Sequence, residues 1–64
     1  MEKWIGDFFV ETWYDRQSRN WVTQLKDKEL NEIFNCYSGN KKDAKKAFND
    51  FCGEAARMVK KSSQ

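Results

Sequence analysis

Two stretches within the first 26 positions read as pleated strands, the second alternating more cleanly than the first, and from position 40 apolar residues recur with the period of a helix. Trp4 to Tyr14 is dense in aromatic and β-branched residues, the types that suit a half-buried strand. Its two alternating sets are Phe8, Val10, Thr12, Tyr14 and Phe9, Glu11, Trp13, Asp15. Both sets hold large apolar side chains, so one long strand with something to bury on each side is expected. Arg16-Gln17-Ser18-Arg19 interrupts the run, and Asn20 opens a second strand in which Trp21, Thr23 and Leu25 form the inward set and Val22, Gln24 and Lys26 the outward one. A hairpin closed symmetrically on that polar loop sets Tyr14 against Trp21, Thr12 against Thr23 and Val10 against Leu25, all on one side.

Asp27 to Asn31 is polar enough for a second turn, and Ile33 to Tyr37 makes a short third strand. Its facing stays open: Phe34 and Cys36 fit a core better than a set containing Asn35, yet Ile33 and Tyr37 would be costly to expose. Ser38-Gly39-Asn40 ends it. Asn40 with Asp43 three residues on resembles a capping box with Asp in place of Glu. Ala44, Ala47, Phe48, Phe51, Cys52, Ala55, Met58 and Val59 then recur on one helical face. Gly53 inside that helix costs about 1 kcal/mol relative to Ala, and Lys60 and Lys61 suit its negative end. The expected fold is α+β: a three-stranded antiparallel sheet followed by one C-terminal helix packed on one face (β-β-β-α), a single domain over residues 1–61 with a frayed tail at 62–64. The helix should bury Phe48 and Phe51 against Trp21 and Leu25. Nothing remains to cover the other face.

Sixty-four residues bury only about 60% of the surface the unfolded chain exposes, which leaves little material for a catalytic cleft. Three Trp, two Tyr and five Phe supply the core instead. Cys36 and Cys52 with no histidine match no zinc spacing, so no metal or cofactor is expected. Both cysteines lie in apolar patterns, where a reduced, buried thiol behaves as a small hydrophobe. The chain has no signal-like start and no run of eighteen apolar residues, so a soluble, cytoplasmic domain with no membrane partner is expected.

Charge is uneven along the chain. Residues 1–15 hold one base against four acids, residues 16–31 four bases against two acids, and the remainder seven bases against four. Only the last third can form a basic patch. With no histidine, nucleophilic catalysis would need a thiol, and apolar surroundings raise a thiol pKa. Glu11 and Asp15 share a face with Trp13, where a polar strand edge explains them. No catalytic residue is expected.

Lys41-Lys42-Asp43-Ala44-Lys45 resembles the Lys-Lys-x-Ala-Lys stretch of double-stranded RNA-binding domains, which opens the helix after three strands. That resemblance implies phosphate contacts through these lysines; the family's first helix and minor-groove loop have no counterpart here. Trp21 to Asp27 together with the Ala44 to Phe48 helix resembles the three-strand-plus-helix DNA-binding domains of plant Apetala-type factors and of recombinase N-termini. Those families read DNA with the open sheet face, which here carries Glu11 and Asp15, the wrong charge for phosphate. The same outline also resembles the YegP-type repeat.

The expected function is a non-enzymatic binding module that uses its open sheet face, through Phe9, Trp13 and Val22, to pack on itself as a homodimer or on another protein. The alternative is a nucleic-acid-binding module contacting phosphates through Lys41, Lys42, Lys45 and Lys46, with Arg16 and Arg19 adding a second contact.

Overall fold

Gly6 and Asp7 divide the expected first strand in two, so four strands precede the helix rather than three. The computed structural model describes residues 1–62. In chain order it holds β1 (Glu2–Ile5), β2 (Phe8–Asp15), β3 (Asn20–Lys26), β4 (Glu32–Ser38) and α1 (Lys41–Ser62). The strands form one antiparallel sheet in the order β1-β2-β3-β4. Gly6 has a φ of 59°, and a two-residue loop with positive φ at its first position has the handedness a tight hairpin needs. Lys3 therefore faces Val10, and Ile5 faces Phe8. A side chain at Gly6 would also collide with α1, because an added Cβ would lie 2.6 Å from Cγ2 of Val59.

The β2–β3 hairpin has the expected register: Val10 opposes Leu25, Thr12 opposes Thr23 and Tyr14 opposes Trp21. Asp15 holds its turn, accepting from the Gln17 N–H at 3.2 Å and the Ser18 hydroxyl at 2.9 Å. The facing of β4 is settled by its pairing with β3. Cys36 opposes Thr23 and Phe34 opposes Leu25 on one face, whereas Tyr37 opposes Val22 and Asn35 opposes Gln24 on the other. A bulge at Ile33 breaks the alternation, so that Glu32 rather than Ile33 comes opposite Lys26.

Asn40 caps α1 as expected, its Oδ1 accepting from the Asp43 N–H at 2.8 Å while its Nδ2 donates to the Asp43 carboxylate at 3.2 Å. The helix crosses one face of the sheet. Beneath it Val10, Leu25, Phe48 and Ala55 form the core, with Ile5, Phe8, Phe51, Cys52 and Met58 packed around them. Enclosing Val10, Leu25 and Phe48 contributes roughly 1.5–3 kcal/mol each. Thr12 and Thr23 are buried on the same face, their hydroxyls 2.9 Å apart, and the Thr12 hydroxyl also lies 2.9 Å from the Val22 carbonyl oxygen. Of the expected tail, Ser62 is the last helical residue, and residues 63 and 64 lie outside the described residues. Among the described residues no helix is long and apolar enough to cross a membrane.

Candidate interaction surface

Strand register arranges the uncovered face in rows, with Asp15 opposite Asn20 next to the β2–β3 turn and three longer rows beyond them. Trp13, Val22 and Tyr37 make the first, Glu2, Glu11, Gln24 and Asn35 the second, and Trp4, Phe9, Lys26 and Glu32 the third. Of these three, the first is aromatic at both ends, the third is aromatic only on its β1–β2 side, and the middle one is polar. Phe9 is thus two rows away from Trp13, with the Glu11 row between them, so the expected patch of Phe9, Trp13 and Val22 is divided.

Val22 is only 4% exposed although α1 lies on the opposite face. Trp13 and Tyr37 flank it on the two neighbouring strands and are the side chains large enough to cover it. They remain 37% and 63% exposed themselves. Val22 therefore supports a contact surface instead of forming one. In the third row the rings of Trp4 and Phe9 lie 4.9 Å apart and tilted by 43°. Between the two aromatic groups, Lys26 Nζ lies 2.7 Å from Glu11 Oε2 with both side chains about three-quarters buried, and Gln24 donates to Glu32 at 3.0 Å. The face carries Glu2, Glu11, Asp15 and Glu32 against Lys26, whereas α1 carries seven bases against three acids.

The basic candidates gather elsewhere. Because Trp21 opposes Ser38, the β2–β3 turn and the start of α1 lie at the same end of the sheet. Arg16 and Arg19 are thereby brought to the same end as Lys41, Lys42, Lys45 and Lys46, and all six are exposed. Tyr14 stands at this end, exposed, with its ring 5.7 Å from that of Trp21. The helix start itself is occupied by its own cap, since the Asp43 amide bonds to Asn40 and the Asp43 carboxylate sits beside it.

Cys36 and Cys52 are half-buried free thiols. Burial pushes the Cys52 thiol up, against a weaker lowering by Lys3. Glu11 and Asp15 are separately engaged, the first by Lys26 and the second by its turn. Among the described residues no group of three His, Cys, Asp or Glu side chains could hold a metal ion. An open depression along the end of α1 is lined by Glu54, Arg57, Met58, Lys60 and Lys61, none of them among the expected binding residues, and Arg57 pairs with Glu54 there.

No protein-family model, curated protein or solved structure matches this chain. The fourth strand also departs from the three-strand-plus-helix outline of the families that its local motifs resemble.

Sequence reasoning missed Trp4 and Tyr37. Trp4 was merged into one long strand, and Tyr37 lay on a strand whose facing alternation could not decide.

Proposed function

We propose that this chain is a non-enzymatic protein-binding module whose open sheet face receives a partner bearing an apolar ridge flanked by basic side chains. The observation that carries this reading is the row Trp13, Val22 and Tyr37, in which two large aromatics stay exposed over a buried valine with no covering element among the described residues. Exposed Trp and Tyr offer large contact area and a polar atom at the rim, the combination that dominates binding energy at protein interfaces. Glu2, Glu11 and Glu32 favour a basic rim on the partner. The same acids oppose laying two copies face to face. Two half-buried thiols suit a reducing cytoplasm.

The test uses isotope-labelled protein titrated with an amphipathic Leu/Lys peptide and, separately, with its Leu/Glu counterpart. The Trp13 indole and Tyr37 amide signals should shift with the first and not the second, and Trp13→Ala should remove the response. Equal response to both peptides, or shifts confined to α1, would rule this reading out.

A second reading is favoured by the gathering of Arg16, Arg19, Lys41, Lys42, Lys45 and Lys46 at one end beside Tyr14. Lysines over phosphates with an aromatic to stack a base is the pattern of single-strand binders. Binding should then weaken steeply with salt and drop when Lys41 and Lys42 are both changed to Glu. An unchanged affinity in that double variant removes these lysines from consideration.

A further inference from the structure

The two edges of the sheet are unlike. The β1 edge is four residues long and carries Glu2 and Lys3, and the Met1 carbonyl and amino terminus add one more backbone pair with Thr12 at 2.9 and 3.1 Å. Short, charged edges resist pairing with another strand. The β4 edge is seven residues long, with no Lys, Arg or Pro, and Ile33, Phe34 and Tyr37 on it are all exposed. Half of its backbone N–H and C=O groups point away from β3, and among the described residues no strand receives them. Phe34 belongs to the helix-covered face, its ring 6.1 Å from Phe51, yet 46% of it meets solvent. The core is left open on that side.

We infer that β4 is a dimer edge: two copies of this chain pair β4 antiparallel about a two-fold axis at Cys36, joining their sheets into one of eight strands. The charges flanking β4 argue for a second copy as the occupant. Asp27 to Glu32, before most of the strand, holds three acids against Lys28; Lys41 to Lys46, after it, holds four bases against Asp43. Antiparallel self-pairing sets each acidic end beside the other copy's basic end, twice over, whereas parallel pairing would set like against like. The bulge fixes the register. It falls at Ile33 and leaves Phe34–Ser38 as the regular stretch, whose midpoint is Cys36. Phe34 of each copy then faces Ser38 of the other, Asn35 faces Tyr37, and the two Cys36 residues face each other on the helix-covered side. The pairing uses the backbone edge of β4, whereas the open face is met by side chains; Tyr37 and Asn35 belong to both, and Trp13, on β2, belongs to the face alone.

Sedimentation at about 100 µM chain, where even a weak contact associates, should give twice the 7.7 kDa chain mass. Copper phenanthroline, which takes two electrons from a pair of thiols, should yield a covalent dimer in the wild type and in Cys52→Ser but not in Cys36→Ser. Asn35→Lys alters an exposed side chain on the edge and should give a folded monomer by helical circular dichroism. Trp13→Glu should stay dimeric. A monomeric wild type overturns the inference, as does a dimer that cross-links through Cys52, forms no cross-link, or persists in Asn35→Lys but is lost in Trp13→Glu.

Discussion

Val10 and Val22 sit on adjacent strands of one sheet, are 0% and 4% exposed, and reach that burial by different means. Val10 lies under a helix, within a cluster to which α1 contributes Phe48 and Ala55. Val22 lies on the bare face between Trp13 and Tyr37, which stay 37% and 63% exposed. The difference shows that a buried residue need not mark a core. On one face burial is held by an element fixed along its length; on the other it is held by two side chains whose outer surfaces still meet water.

The largest expected effect lies on the covered face. Leu25→Ala should cost about 2–5 kcal/mol by urea unfolding, because a helix docked along its length cannot collapse into the space. A cost below about 1 kcal/mol would show that α1 is not held as described. Gly6→Ala should cost about 2–3 kcal/mol, since it forces an alanine into the positive-φ region and its Cβ against Val59; a neutral result would mean that the end of α1 does not close on the β1–β2 turn. On the open face, Val22→Ala should cost only about 1–2 kcal/mol, because Trp13 and Tyr37 can settle over the gap. If it matches Leu25→Ala, the contrast between the faces fails. Trp13→Glu takes away half of that cover and is expected to cost a similar amount, about 1–2 kcal/mol, while keeping the helical signal. Loss of the helix in that variant would place Trp13 in the core.

The β2–β3 hairpin was legible in the sequence because two independent signals coincide there: a polar loop of fixed length and apolar sets that match only in one register. The helix start was legible for the same reason, Asn40 and Asp43 standing just ahead of the 3.6-residue period. The β1–β2 turn was not read, because aromatic residues continue on both sides of it and a period of two runs smoothly through. Its sign was the Gly6-Asp7 pair between two apolar runs, a recognised hairpin signal. Missing it left Trp4 without a partner and hid the packing of Phe9 against it. The facing of β4 was illegible for a different reason: with Ile33 bulged out, alternation no longer tells which residues share a face. The basic end could not be read locally either, since only the pairing of Trp21 with Ser38 carries Arg16 and Arg19 to the start of α1.

The paired hydroxyls of Thr12 and Thr23 carry a consequence for how the chain avoids the wrong hairpin. A slip of two residues between β2 and β3 would keep every side chain on its own face, and oily contacts alone would penalise it weakly. Thr12 would then face Trp21 or Leu25, and both hydroxyls would be stranded beneath α1 without each other. Each stranded hydroxyl costs about 1–3 kcal/mol, a large share of what a domain of this size has to lose. Two polar atoms in an apolar layer thus act as a key that only one alignment of the hairpin turns.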